Sequence, residues 1–366
     1  MDPKEISKKD QVILQQLEVI RTMTEHNLSR MGTDFWGAPP LRTDRPEEKT
    51  AENSNTAAST GNDGTKSPEA EVPPPENIED LQAELDGYIG LGAVKKEVKN
   101  LINMVRVYQM RRENDLPTTD LSLHMVFSGN PGTGKTTVAR LMARIYHALG
   151  ILSKGQLVEV DRSGLVAGYV GQTALKTAKV IEQALGGVLF IDEAYSLVNQ
   201  ENGNDFGHEA IEILLKNMED HRNDLIVIVA GYTNLMEKFI HSNPGLESRF
   251  NRFLHFDDYS VDEMMDIFKM QCKKGCYTLA GQAEEMVRDF IREENTGGIT
   301  FGNARGVRNI FEQILVHQAN RLAGLEQVSR EALMEITAED VLMARGMEEG
   351  TVPPPYGDVK NAEKRT

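Results

Sequence analysis

Eight residues, Gly129-Asn-Pro-Gly-Thr-Gly-Lys-Thr136, constrain this chain more than any others. They match GxxxxGK[ST] at every fixed position, with the apolar run LHMVF before them and the helical pattern TTVARLMARIYHAL after them. Gly129, Gly132 and Gly134 let the backbone turn so that successive N–H groups converge on one anion. The positive end of the following helix faces the same point. The chemistry implied is the phosphate tail of ATP with Mg2+. Lys135 reaches the β- and γ-phosphates and Thr136 sets its hydroxyl on the metal. Asn130, Pro131, Thr133 and Thr137 complete the loop that lies along the nucleotide.

A second motif, Gly-Gly-Val-Leu-Phe-Ile-Asp-Glu-Ala, occupies residues 186–194. An apolar strand ending in two acids delivers both carboxylates to the carboxyl edge of a sheet, beside the phosphate loop. Asp192 is placed to hold Mg2+ and Glu193 to polarise the attacking water as general base. An apolar run followed by two acids says little by itself. Paired with the phosphate loop, it describes a hydrolase.

Strands are expected at Leu123–Ser128, Gln156–Val160, Val188–Ile191, Leu225–Ala230 and Phe253–Phe256. Helices are expected at Lys135–Leu149, Ala174–Leu185, His208–Asp220, Leu235–Ile240 and Val261–Lys274. Such alternation implies an α/β fold, a mostly parallel sheet with helices on both faces. After Phe256 no strong strand follows, so a helical domain is expected there. Ahead of this zone, residues 8–30 read as one helix with Ile13, Leu17, Ile20 and Leu28 on a shared face. From Arg42 to Asn77 the chain has no Leu, Ile, Met or aromatic residue, which reads as a flexible linker. The resulting division is 1–37 N-terminal helical segment, 38–77 disordered linker, 78–258 α/β domain, 259–347 helical domain and 348–366 tail.

Hydrophobic residues make up 40% of the 366, enough for a full core, and the net charge of −16 repels phosphate backbones. Nucleic acid is therefore a disfavoured partner. Cys272 and Cys276, the only cysteines, read as reduced structural thiols. No apolar run is long enough to span a membrane, and the polar start MDPKEISKKDQ lacks a signal peptide's apolar stretch. A cytoplasmic protein without membrane contact is expected.

The run GNPGTGKTTVARL, then FIDEAYSL, AGY and NPGLESRF, resembles the CbxX/CfxQ branch of AAA+ ATPases, which includes stage V sporulation protein K and the red-type Rubisco activases. The resemblance covers roughly Leu85 to Leu322. It implies a P-loop NTPase of AAA+ type whose helical domain is a lid. It also implies ATP bound between subunits of a ring, expected to be hexameric, acting on a protein client.

Carried over residue by residue, Ile89 and Gly90 in Gly87-Tyr-Ile-Gly-Leu91 correspond to the segment lying against adenine. Arg249 in NPGLESRF corresponds to the arginine finger that enters the neighbouring subunit's site, with Arg252 as a competitor. Arg305 in Gly302-Asn-Ala-Arg305 corresponds to the sensor-2 arginine of the lid, with Arg308 as the alternative. The sensor-1 position falls among Tyr232, Thr233 and Asn234, which departs from the commonest family pattern. In Gly168-Tyr-Val-Gly171, Tyr169 and Val170 correspond to the pore loop that grips a threaded peptide. The rivals from other classes are an ATP-dependent scaffold or switch, a nucleic-acid motor and, weakest, a small-molecule kinase. Trp36, in DFWGAPP, is a candidate binding motif outside the resemblance. The N-terminal helix serves docking or assembly, or has no special role, and PPPY at 353–356 reads as an accidental match to a WW-domain ligand.

Overall fold

The structure is a computed structural model that describes residues 74–118, 122–169, 171–198, 206–325 and 327–346. The helix expected over 8–30, Trp36, the linker up to residue 73, Val170, PPPY and the tail from 348 lie outside the described residues.

Helices α1 (Ile78–Gly87) and α2 (Gly92–Glu113) precede the sheet and were not among the expected elements. In α2, Val94, Val98, Leu101, Ile102 and Val105 are buried at helical spacing, which is what docks it. The α/β part then runs β1 (Met125–Gly129), α3 (Lys135–Ala148), β2 (Leu157–Val160), α4 (Arg162–Leu165), α5 (Gln172–Ala184) and β3 (Val188–Ile191). It continues with α6 (Gly207–Asp220), β4 (Ile226–Gly231), α7 (Thr233–His241), α8 (Pro244–Arg249) and β5 (Arg252–Phe256).

The five strands form one sheet in the order β2-β3-β4-β1-β5, and every neighbouring pair is parallel. All residues of β3 (VLFI) and β4 (IVIVAG) are buried, the mark of central strands covered on both faces. On one face, Ile181, Leu189, Leu214, Val227, Phe239 and Phe250 belong to a single apolar cluster. Just before β1, His124 is buried, and its Nδ1 accepts the Val227 N–H at 3.0 Å. Burial pushes its pKa down to about 4, so the ring sits in the core neutral.

The helical part comprises α9 (Val261–Lys274), α10 (Ala283–Glu294), α11 (Ala304–Ala323), α12 (Arg330–Met334) and α13 (Ala338–Ala344). A capping box closes the start of α9, with Ser260 and Glu263 satisfying each other's backbone N–H groups. The expected all-helical remainder also contains a short parallel pair, β6 (Thr278–Leu279) with β7 (Glu335–Ile336). Strands of two residues carry no readable alternation. Arg321 on α11 donates to both oxygens of Asp340 on α13, at 2.8 and 2.9 Å. Against the upward push of burial, Arg321 and Thr337 hold the Asp340 carboxyl below its usual range. Among the described residues, no helix is long and apolar enough to cross a membrane.

Candidate functional site

In the sheet order, β4 lies between β3 and β1, so the carboxyl ends of these three strands are neighbours. That edge carries the phosphate loop after Gly129, the acids after Ile191 and the Tyr232 turn after Gly231. Parallel α/β sheets bind ligands at this edge.

The loop's glycines are required by its geometry. Gly129, Gly132 and Gly134 have φ of +148°, +73° and +95°. A Cβ on Gly132 would lie 2.1 Å from the Gly302 carbonyl oxygen of the helical part. Thr133 is fully buried and donates its hydroxyl to the Asn130 carbonyl at 2.9 Å. Lys135 folds back over the loop, its Nζ donating to the carbonyls of Gly129 (2.8 Å) and Asn130 (2.7 Å). Burial lowers its pKa to about 8, with Asp192 opposing the shift, Arg305 adding to it, and Asp258 and Glu193 opposing it more weakly.

A bound triphosphate raises the pKa of that ammonium again, and the sign of the consequence follows. Below about pH 8 the lysine is charged with or without nucleotide, so affinity is level; above it, binding must take up a proton. ATP affinity is therefore expected to weaken by about tenfold per pH unit above about pH 8. Calorimetric Kd values across that range check this, and a flat profile rules it out.

The Asp192 N–H donates to Val160 O at 2.8 Å, extending the β2–β3 ladder by one step. Its Oδ1 accepts the Glu193 N–H at 3.0 Å. Glu193 then adopts φ +48°, a left-handed conformation costing about 1–2 kcal/mol for a residue with a Cβ. The chain turns there, and the Glu193 side chain is exposed while Asp192 stays half-buried. Next to them the Tyr195 and Tyr232 rings lie 6.1 Å apart. Burial pushes Tyr195 up to about 12, with Glu193, Tyr232 and Asp192 adding to the shift. Of the three sensor-1 candidates, Tyr232 is thus the one whose ring lies beside Tyr195. Thr233 instead has its hydroxyl 3.5 Å from His255 Nδ1, and Asn234 is exposed.

Glu159 on β2 is a third acid here. Burial raises its carboxyl above the usual range; Arg140 opposes this, Asp192 adds to it, and the Thr136 hydroxyl opposes it. Thr136, Asp192 and Glu159 therefore supply oxygen donors alone, the set that suits Mg2+. These residues fit the metal that an ATP site requires, and the glycine cradle fits the phosphates.

From the helical part, Arg305 is exposed and close enough to influence Lys135 and Glu159. Arg308 pairs with Glu312 on its own helix at 2.9 Å. Gly90, with φ +63°, is pressed against Tyr259 and Glu263, where a Cβ would lie 3.0 and 2.6 Å from their side chains. The Tyr259 hydroxyl donates to Thr133 O at 3.4 Å, which connects Gly90 to the phosphate loop. Ile89 beside it is half-buried. A small cavity of about 100 Å³ adjoins this corner, lined by Leu91, Val94, His255, Asp258 and Tyr259 among others, and includes neither Ile89 nor Gly90.

Arg249 is not brought to this edge. Its carbonyl accepts from Ser122 and its charge is felt at His124, both before the first residue of β1. The length of β1, about 17 Å for five residues, separates that end from the phosphate loop. The guanidinium lies 3.3 Å from Glu219, and its Nε has no acceptor among the described residues. Arg252 is engaged at the same end, donating to Ser122 O at 2.9 Å. Tyr169 is 74% exposed rather than packed into the core.

Sequence reasoning missed Asp258, Tyr259, Glu159 and Asn303 as members of this site. Asn303 stood inside the quoted motif Gly302-Asn-Ala-Arg305, without a role of its own.

The chain matches the family model for the ATPase family associated with various cellular activities (AAA) over residues 125–258 and that for an AAA lid domain over 260–350. It is 44% identical over 272 residues to Protein CfxQ homolog of Pyropia yezoensis, covering 74% of this chain and 89% of that one. It is 41% identical over 266 residues to Stage V sporulation protein K of Bacillus subtilis, covering 72% and 82%. Identity is 42% over 272 residues to the chloroplastic ribulose bisphosphate carboxylase/oxygenase activase of Cyanidioschyzon merolae, covering 74% and 92%.

Proposed function

Because the chain belongs to the AAA family of ATPases, in the branch of the CfxQ and stage V sporulation K proteins, we propose that it is a ring-forming motor that remodels a protein client drawn past Tyr169. Its reaction is the hydrolysis of ATP to ADP and phosphate. In this reading Lys135 and the loop N–H groups hold the phosphates, and Thr136 and Asp192 hold Mg2+. When bound, that ion neutralises charge on the β- and γ-phosphates. Glu193 takes a proton from the attacking water. Arg305 carries the state of the phosphates to the helical domain, 259–347, which tilts against the α/β domain, 78–258. A six-membered ring is the assembly we propose.

One observation carries the threading step. Tyr169 is 74% exposed on a loop whose two stems are tied down. The Ala167 N–H donates to Thr173 Oγ1 at 3.1 Å, and the buried Thr177 hydroxyl donates to Leu165 O at 3.1 Å. Lys176 Nζ bonds the carbonyls of Ser163 (2.5 Å) and Val166 (3.1 Å). Holding an aromatic ring in water on a braced support is unfavourable unless something comes to cover it. A protein client fits the relative named as a carboxylase activase, and the net charge of −16 speaks against a nucleic-acid track.

The test uses two full-length variants loaded with ATP. Glu193→Gln should retain both nucleotide and client. Glu193→Gln with Tyr169→Ala should retain nucleotide and lose the client. Equal client retention by both would leave a scaffold or switch as the better description.

A further inference from the structure

The junction between the helical part and the phosphate loop contains a polar residue that the reaction scheme above does not use. Asn303, just before α11, is 2% exposed. Its Oδ1 accepts the Tyr259 N–H at 2.9 Å. Its Nδ2 donates to Asp258 Oδ1 at 2.8 Å and to the Pro131 carbonyl at 3.3 Å. Asp258 in turn accepts from Asn130 Nδ2 with both oxygens, at 2.9 and 2.8 Å. Beside these, the Ala304 N–H donates to Gly132 O at 3.2 Å. One buried amide thus fastens the corner Asn130-Pro131-Gly132 to the strand-to-lid connection.

The backbone indicates why the residue is asparagine. Asn303 has φ +53° and ψ −125°, a conformation in which glycine is the unstrained choice, and its neighbour Gly302 already uses φ +76°. A glycine at 303 would relax the chain and delete the amide. Strain of this kind persists where the surroundings need the side chain. Here the side chain's partners are the phosphate loop's own backbone and the acid that holds Asn130.

We propose that Asn303 is a positioning residue for ATP: it holds the Asn130–Gly132 corner in its phosphate-accepting shape only while the helical part is seated, so that Asp258 and Asn303 together make nucleotide affinity depend on lid position. This rests on the ATPase reaction and not on the threading reading, and its test needs no client.

Two variants of the full chain separate positioning from mere support. Asn303→Gly removes the amide and the strain together. It should raise KM for ATP by about tenfold or more while Tm moves by less than about 2 °C. A residue with only a packing role would instead shift Tm and leave KM alone, and that result overturns the proposal. Asn303→Asp sets a carboxylate against Asp258 and should also raise KM by about tenfold or more. Adding Asp258→Asn to it exchanges donor and acceptor across the same 2.8 Å contact, with Oδ1 of residue 303 still accepting from Tyr259. That exchange should bring KM back down by about threefold or more from the Asn303→Asp value without full rescue, because it loses the bond to Pro131 and one of the two contacts from Asn130. An exchanged pair no better than Asn303→Asp alone overturns the proposal.

Discussion

Replacing Glu193 by glutamine is expected to cut ATP turnover by about 10²–10⁴-fold while ATP stays bound, the range that a positioned general base contributes. In free energy the loss is about 3–5 kcal/mol of transition-state stabilisation. The side chain is exposed and leaves the sheet through a φ +48° turn, so the isosteric amide disturbs no packing. The turn itself is held by backbone groups, the Asp192 N–H on Val160 O and the Ser196 N–H on Glu193 O, both at 2.8 Å. Neither bond involves the exchanged carboxylate. Lys135, Thr136 and Asp192 also remain, so binding should survive the loss of chemistry. Phosphate release measured beside nucleotide retained after gel filtration checks both halves. Turnover close to normal would remove Glu193 from the base position and leave Asp192 or Glu159 to be tested in its place.

The parts of this site that sequence made legible are those specified by neighbours in the chain. Glycine spacing around Lys135 reports a backbone requirement, and all three glycines do adopt positive φ. The strand Val188–Ile191 is a continuous apolar run between a glycine pair and two acids, so both its ends are marked. Helix α9 begins and ends where expected because Ser260 and Glu263 close its first turn. What was not legible depends on residues distant in sequence. Asn303 meets Pro131 across 172 positions, and no local pattern distinguishes that asparagine from a surface one. The involvement of Asp258 and Tyr259 likewise follows from how the end of β5 lies beside the phosphate loop. The motif around Arg249 says that an arginine follows a short helix, and leaves open the edge of the sheet on which it sits.

That edge decides how Arg249 can act, and the second large effect follows from it. In a single chain the guanidinium lies near the start of β1, paired with Glu219, while the phosphate loop follows the strand's far end. An arginine so placed cannot reach its own nucleotide without unfolding the sheet between them, which leaves a neighbour's nucleotide as the one it is proposed to meet. If it supplies the finger in trans, Arg249→Ala should lower turnover by about 10³–10⁵-fold with ATP binding kept. The Glu219 contact contributes little to offset this, since an ion pair with one partner 59% exposed is worth at most about 1 kcal/mol. Geometry then dictates the outcome of mixing. Lys135→Ala subunits have an intact Arg249 and no usable loop, and Arg249→Ala subunits have the reverse. Each alone should be inactive. Co-assembled in equal amounts at random, about a quarter of interfaces join an intact loop to an intact arginine, so activity should return toward that fraction of the unaltered ring. Mixtures as inactive as their components, with co-assembly verified, would mean that Arg249 does not complete the neighbour's site.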